Sequence, residues 1–199
     1  HSCDVFFYQT GLRTGIDDLI KWGRKFHLGE LTGIALPGES GGNIGGPEWR
    51  MRRFKTAWAG GDTVNYSIGQ GYMLMTPIQI AREYAAIANG GKMVTPHLCA
   101  KSYKAPEDIG LNPAKLEIVR KGLEAVVSRG TGSRAGRFGV HVAGKTGTAQ
   151  NSHGDDHALF AGYAPAEDPK YVAVAVIEGG KHGSSVAGPM VGQMLAHLL

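Results

Sequence analysis

Cysteine is scarce in this chain of 199 residues, which contains only Cys3 and Cys99. Two cysteines allow at most one disulfide, and the chain has no Cys-x-x-Cys pair, so cysteine usage does not indicate a redox compartment. Long apolar runs are also absent, because no segment reaches the roughly 18 residues that a membrane-spanning helix requires. The chain still has enough apolar residues, 42% of the total, to build a substantial core.

Charge of one sign is not in large excess, since the formal net charge is +4. The basic residues cluster at Arg50, Arg52, Arg53 and Lys55. They lack the interleaved aromatic and glycine pattern of a nucleic-acid-binding surface. We therefore interpret this stretch as a solvated or anion-facing loop and expect no nucleic-acid partner.

A signal peptide and an initiating methionine are also missing, because the chain opens with His1, Ser2 and Cys3. We expect any export signal or membrane anchor to lie outside this sequence. The chain is accordingly interpreted as a C-terminal piece of a longer protein.

Hydrophobic periodicity and turn residues predict a mixed fold of helices and strands. The predicted helices cover residues 4–12, 16–26 and 77–88, an element that opens at residues 112–113, and residues 186–199. The predicted strands cover residues 93–98, 140–150, 158–164 and 171–177, of which the last two form an antiparallel hairpin. Residues 27–62 are glycine-rich and are predicted to be irregular. The pattern indicates an α/β fold of the α+β type, in which helices flank an antiparallel sheet.

Three of the helices carry sharper signals. The helix at residues 77–88 has Thr76 as its N-cap, Pro77 at its first position and Gln79 where a capping box requires it. The helix after Asn112 is predicted to bury one face, made of Leu116, Val119, Leu123 and Val126. The last helix is predicted to bury a face made of Met190, Val191, Met194, Leu195 and Leu198.

The most informative residues are Lys145, Thr146, Gly147 and Thr148, which lie within a predicted strand. Lys-Thr-Gly on a strand is typical of serine acyl-transferases that handle penicillin. Thr146 and Thr148 are two residues apart, so the strand places their hydroxyl groups on one face. Gly147 has no side chain, which lets a substrate backbone lie against the strand.

The same residues also match a phosphate-binding loop, because residues 139–146 fit G-x-x-x-x-G-K-[ST]. Such a loop needs an apolar strand before it and a helix that begins at the Lys-Thr pair. Residues 129–137 are too polar for that strand, and residues 147–156 cannot form a helix. An apolar strand that ends at Glu178 favours nucleotide binding, which stays the less favoured interpretation.

Several motifs occur together in one order. Residues 67–71 (Ser-Ile-Gly-Gln-Gly) and 76–79 (Thr-Pro-Ile-Gln) precede residues 145–150 (Lys-Thr-Gly-Thr-Ala-Gln), and residues 157–165 follow. In these motifs the chain resembles the C-terminal part of the transpeptidase domain of class B penicillin-binding proteins. Residues 2–4 (Ser-Cys-Asp) match the family's Ser-x-Asn motif with Asp in the third place, as in the penicillin-binding protein 2 branch, which serves cell elongation.

The resemblance implies a role for each matched residue. Ser2 would relay protons to the leaving amine, and Asp4 would help to bind the substrate. Lys145 would act in the catalytic site, and Thr146, Gly147 and Thr148 would bind the substrate, with the backbone N–H of Thr148 as one oxyanion donor. From the residues alone, capping of the helix at residues 4–12 is the alternative role of Ser2 and Asp4.

One part of the family's machinery is missing from the chain. The nucleophile lies in Ser-x-x-Lys, and no serine here is followed three residues later by lysine. The resemblance therefore implies that residues 1–199 are the C-terminal part of a single transpeptidase domain. The nucleophilic serine, its lysine base, the pedestal and the membrane anchor would lie outside, and the chain alone should not be acylated.

The resemblance implies no required cofactor. Some penicillin-binding protein 2 homologues bind zinc through a cysteine at the place of Cys3, so a structural zinc with upstream ligands is a further expectation. A half-buried cysteine without a metal is the alternative. His153, Asp155, Asp156 and His157 fit no standard metal spacing and are interpreted as a polar hairpin loop.

Partners and location also follow from the resemblance. The implied partners are peptidoglycan stem peptides, β-lactam antibiotics, a SEDS-type glycan polymerase, other elongation-complex proteins and the missing upstream part of the same protein. The implied location is the periplasmic face of the bacterial inner membrane. A β-lactam sensor or a β-lactamase-like hydrolase would share Lys-Thr-Gly, and a non-catalytic binding module is the other class of alternative.

Overall fold

The structure, a computed structural model, describes residues 2–199. It divides into two compact units. The helical unit comprises residues 2–79 and 96–100, and the sheet unit comprises residues 80–95 and 101–199. None of the helices in residues 2–199 combines the length and the apolar composition needed to cross a bilayer.

The helical unit is built from short helices joined by glycine-rich turns. Its elements are α1 (Asp4–Thr14), α2 (Ile16–Lys25), β1 (Asn43–Ile44), α3 (Pro47–Phe54), α4 (Gly60–Tyr66) and β2 (Met73–Leu74). The two short strands pair antiparallel. The helices predicted at residues 4–12 and 16–26 are confirmed as α1 and α2, with ends that differ by one or two residues.

The prediction that residues 27–62 are irregular is wrong for α3 and for the start of α4. The basic cluster interpreted as a loop begins inside α3, which has Pro47 at its first turn, Glu48 near its positive end and Arg53 near its negative end. This charge order stabilises a helix through its macrodipole. The helix was missed because no residue of α3 is buried, so it shows no apolar periodicity.

The helix α5 (Pro77–Ala88) is confirmed with its predicted cap. The backbone N–H of Thr76 donates to Gln79 Oε1 over 2.9 Å. The same side chain reaches across the helical unit, because Gln79 Nε2 donates to the backbone oxygens of Glu30 and Gly41 over 2.8 and 2.7 Å. Only 1% of Gln79 is exposed. One residue therefore caps α5 and fastens the loop between α2 and β1.

The sheet unit contains the longer strands and two further helices. Its further elements are β3 (Lys92–Met93), β4 (Glu107–Asp108), α6 (Pro113–Arg129), β5 (Ala143–Ala149), β6 (His157–Ala164), β7 (Tyr171–Ile177) and α7 (Ala187–Leu198). The last three strands form a sheet in the order β5-β6-β7, and both pairs are antiparallel. The predicted hairpin is confirmed as β6 and β7.

Two predicted strands are longer than those observed. The strand predicted at residues 140–150 begins at Ala143 and ends at Ala149. The strand predicted at residues 93–98 is confined to Lys92 and Met93, which pair with β4. Pro96 lacks a backbone N–H and cannot donate to a ladder, which explains why the longer strand does not form.

The core lies on one face of the sheet, where α7 packs against β6 and β7. Phe160, Val191 and Leu195 are fully buried there. The predicted face of α7 is therefore correct for its two central residues and wrong for the rest. Met190, Met194 and Leu198 are 45%, 49% and 48% exposed.

The helix α6 begins as predicted, because the Asn112 side chain accepts a hydrogen bond from the Lys115 N–H over 3.1 Å. Leu116 and Val126 are buried, whereas Val119 is exposed, so that part of the predicted face is wrong. Arg120 of α6 donates from Nε to the backbone oxygen of Ile87 over 2.9 Å, and its second nitrogen contacts the oxygen of Ala88. These bonds satisfy carbonyl groups at the end of α5.

Candidate active site

Lys145, Thr146, Gly147 and Thr148 lie on β5, which is an edge strand of the three-stranded sheet. In the register with β6, Thr146 faces Phe160 and Thr148 faces Ala158. Both hydroxyl groups are therefore on the same face of the sheet, as predicted. An edge strand presents backbone N–H and C=O groups to which an extended peptide can add as a further strand.

The Lys145 ammonium lies along the strand next to Thr146. Its Nζ donates to the backbone oxygen of Thr146 over 2.7 Å and approaches Thr146 Oγ1 at 3.3 Å. Thr131, in the turn after α6, hydrogen-bonds the same hydroxyl, with 3.0 Å between the two oxygens. A cation and two hydroxyl groups thus meet at this partly buried point of the strand.

Glycines allow close packing around Gly147. A Cβ atom at Gly147 would come within 3.1 Å of Leu159 Cβ on the paired strand. A Cβ atom at Gly183, in the loop that follows β7, would collide with the backbone oxygens of Gly147 and Leu159. The loop backbone therefore rests directly on β5 at the Lys-Thr-Gly motif, and this contact requires glycine at residue 183.

Ser2, Cys3 and Asp4 lie at the start of α1, in the helical unit, and all three are exposed. Cys3 occupies the N-cap position and makes no side-chain capping bond there. Asp4 lies in the first turn of α1, where a carboxylate favours the helix, so the capping alternative stays open. The Lys-Thr-Gly residues belong to the sheet unit, so the roles implied for Ser2 and Asp4 stay predictions.

The motif at residues 67–71 supports α1. A Cβ atom at Gly11 of α1 would lie in collision with Ser67 Cβ, so the two segments are in direct contact. The Ser67 hydroxyl donates to the backbone oxygen of Val64 over 2.7 Å, which holds it at the end of α4. Gly69 and Gly71 both have positive φ angles, of 78° and 74°. The motif therefore positions the helix that carries Ser2 and Asp4.

The phosphate-loop interpretation is wrong. Lys145 and Thr146 lie in the middle of β5, whereas a phosphate loop requires a helix to begin at this pair. The chain continues from β5 through a short loop into β6. The backbone N–H groups of residues 139–146 therefore do not form a helix-capped anion site.

A complete metal site is not formed by the residues that the structure describes. Between residues 2 and 199, no three His, Cys, Asp or Glu side chains are grouped to hold an ion. Cys3 is an exposed free thiol rather than a half-buried one, and its role in holding zinc stays a prediction. His153, Asp155 and Asp156 lie in the loop between β5 and β6, as predicted, where Asp156 accepts a hydrogen bond from the Asn151 N–H over 3.2 Å. The prediction is wrong for His157, which is the first residue of β6.

Sequence reasoning missed two residues of this site, Thr131 and Gly183. Thr131 is 15 residues away from Thr146 along the chain, and no periodicity connects a turn residue to a strand at that distance. Gly183 lies in a segment, residues 178–184, that is rich in glycine and has the composition of an ordinary loop. The only hint in the sequence is that Thr131 lies between two glycines, Gly130 and Gly132, in the polar segment that precedes β5.

Residues 1–196 match the transpeptidase domain of penicillin binding proteins. The chain belongs to this family. The match covers both structural units, so the motifs of the two units belong to one family domain.

Several curated relatives carry the name peptidoglycan D,D-transpeptidase MrdA. The protein from Haemophilus influenzae is 36% identical over 231 residues, covering 100% of this chain and 35% of the relative. The protein from Acinetobacter baumannii is 38% identical over 213 residues, covering 94% of this chain and 32% of the relative. The chain thus spans about a third of the length of these relatives.

Solved structures agree with the sequence relatives. The chain superposes with a TM-score of 0.90 and 36% identity on penicillin-binding protein 2 of Helicobacter pylori in a complex with MreC, covering 98% of this chain and 38% of that one. It superposes equally well, at 0.90 with 37% identity, on Pseudomonas aeruginosa PBP2 in complex with WCK 5153, covering 98% and 47%. The fold class and the resemblance to penicillin-binding protein 2 are confirmed.

Proposed function

We propose that this chain acts as part of a peptidoglycan D,D-transpeptidase that cross-links stem peptides during cell elongation. The observation that carries the proposal is Lys145-Thr146-Gly147-Thr148 on the edge strand of an antiparallel sheet, in a chain that belongs to the transpeptidase family. The relatives named for this activity are about three times longer, so the whole protein's chemistry is inferred from them.

The proposed reaction has two acyl-transfer steps. A serine hydroxyl from a Ser-x-x-Lys segment outside this chain attacks the carbonyl of a D-Ala-D-Ala end, the peptide bond breaks, and D-Ala leaves with a proton on its amine. An amine of a neighbouring stem peptide then attacks the resulting ester, and the serine is released. A β-lactam would acylate the same serine through its strained amide.

Residues of this chain would bind and polarise the substrate. The extended peptide would lie along β5, with the hydroxyl groups of Thr146 and Thr148 near its carboxylate. The Thr148 N–H would donate to the oxyanion, which is a large source of rate acceleration in acyl transfer. Lys145 and Ser2 would carry the proton path to the leaving amine, and Asp4 would contact the substrate.

The location and the remaining partners are proposed from the family resemblance. We propose the periplasmic face of the inner membrane as the location, and an MreC-like protein, a SEDS-type polymerase and the upstream part of the same protein as partners. The similar penicillin-binding protein 2 of Helicobacter pylori was solved in a complex with MreC, which supports an elongation role. A structural zinc held by Cys3 would need ligands from outside residues 2–199, and no step of the proposed reaction uses it.

Intact-mass spectrometry with benzylpenicillin tests the proposal. We expect the full-length protein to gain the mass of one penicillin and to lose it slowly, whereas the 199-residue chain alone gains none. In the full-length protein, Lys145→Ala should slow acylation by about 100-fold, the usual effect of removing one stabilising group from an acyl-transfer site.

Lys121→Ala is the matched control, because the Lys121 side chain is 70% exposed on α6 of the same unit. It should acylate like the unsubstituted protein. Rapid loss of the adduct would instead indicate a β-lactam hydrolase. The proposal is overturned if the full-length protein gains no penicillin, and an adduct on the 199-residue chain would place the nucleophile within it.

A further inference from the structure

The Thr146 hydroxyl has two close neighbours in the sheet unit. Lys145 Nζ lies 3.3 Å from Thr146 Oγ1, and Thr131 Oγ1 lies 3.0 Å from it. Thr131 and Thr146 are both partly buried. Thr131 follows α6 directly, between Gly130 and Gly132, and the Gly132 N–H is bonded to the backbone oxygen of Val126 over 2.9 Å. The turn that carries Thr131 is therefore anchored to its helix.

Hydrogen-bond chemistry limits how these groups can share protons. An ammonium group only donates, whereas a hydroxyl group has one hydrogen to donate and two lone pairs that accept. Lys145 can therefore occupy only a lone pair of Thr146. If Thr131 also donates, both lone pairs of the Thr146 oxygen are used and its single hydrogen stays available.

We propose that Thr131 is a positioning residue that donates to Thr146 and thereby directs the Thr146 O–H toward the substrate carboxylate. Thr131 itself touches no substrate in this arrangement. It fixes the rotation of the Thr146 hydroxyl group, so that this group is already oriented as a donor before an anionic ligand binds. This preorganisation removes the cost of reorienting the donor when the ligand binds. The inference rests on the proposed function, because the carboxylate belongs to the transpeptidase substrate or to a β-lactam.

If Thr131 positions the Thr146 hydroxyl, removing the Thr131 hydroxyl should slow acylation only by ligands that carry a carboxylate. In the full-length protein, Thr131→Val should slow acylation by benzylpenicillin by about tenfold, as expected for a weakened hydrogen bond to a charged group. Acylation by the methyl ester of benzylpenicillin should change much less, because the ester has no carboxylate for Thr146 to recognise. The ratio of the two rate constants is the readout, and a general loss of structure would not alter it selectively.

Two further variants keep the test decisive. Thr131→Ser retains the hydroxyl and should restore the ratio, and Ser133→Ala removes an exposed hydroxyl from the same turn and should leave both rates unchanged. Equal slowing with penicillin and its ester, or no slowing with either, overturns the positioning role. Failure of the unsubstituted protein to acylate with benzylpenicillin overturns the proposed function itself, which is a separate result.

Discussion

At the scale of single residues, Glu83 makes the stability of the fold depend on pH, which the composition of the chain does not reveal. It lies in α5, where burial raises the pKa of its carboxyl group from 4.5 to about 7. The folded state therefore holds the proton more tightly than the unfolded state. Stability from this group is complete below about pH 4.5, falls as the pH rises toward 7, and is constant above that.

We expect Glu83→Gln to remove this pH dependence. The largest effect, above pH 7, is a gain in the free energy of unfolding of about 1–3 kcal/mol, since one pKa unit corresponds to about 1.4 kcal/mol. Denaturation at a series of pH values from 5 to 8 measures it. Glu117→Gln, on the exposed side of α6, is the control, and parallel curves for Glu83→Gln and the unsubstituted protein would contradict the prediction.

Residues of the site could be predicted only where the neighbouring sequence indicates them. Lys145, Thr146 and Thr148 could be predicted because the motif is contiguous and the strand alternates around it. Thr131 could not be predicted, because its partner is distant in sequence and the contact depends on how the turn after α6 meets β5. Ser2 and Asp4 were suggested only by the order of several motifs, and their roles stay predictions.

Helices and strands could be predicted where the residues at their ends form a recognisable cap or turn. Thr76, Pro77 and Gln79 define the start of α5, and the antiparallel hairpin of β6 and β7 follows from its short turn. The helix α3 was not predictable from periodicity, because a helix without a buried face shows none. In α7, Met190, Met194 and Leu198 share the apolar character of Val191 and Leu195, and only the packing separates the two sets.

At the scale of elements, Gln79 is the most consequential side chain. We expect Gln79→Ala to lower the free energy of unfolding by about 3 kcal/mol, because the Glu30 and Gly41 carbonyl groups would lose a buried donor. A glutamate-specific protease should then cleave faster at Glu39, in the loop that Gln79 holds.

Gln9→Ala is the control for this prediction, since Gln9 is exposed on α1. Gln79→Met, which fills similar space without donors, should be nearly as damaging as Gln79→Ala. Recovery of stability with methionine would mean that packing matters more than these hydrogen bonds.

At the scale of the whole molecule, the 199-residue chain exposes large apolar side chains on several helices, among them α1 and α7. Val5, Phe6 and Leu12 of α1 are 63%, 61% and 53% exposed, and three residues of α7 are also open to solvent. Apolar surface of this kind usually marks an interface. We therefore predict that the isolated chain associates in solution.

Light scattering after size exclusion measures the association directly. Polar replacement of Val5, Phe6 and Leu12 should reduce the mass of the associated species if α1 is responsible, and replacement of Met190, Met194 and Leu198 tests α7 in the same way. A monodisperse monomer of the unsubstituted chain that melts cooperatively would contradict the prediction.

Under the proposed function, the position of β5 at the edge of the sheet also bears on drug resistance. A substitution can change the side chain of Thr146 or Thr148, but it cannot delete the main-chain groups that run along the strand. An inhibitor whose affinity comes from an extended backbone laid beside β5 would therefore leave fewer escape routes than one that depends on side-chain contacts. Such a compound need not react with the serine, so slower acylation would not protect the cell from it.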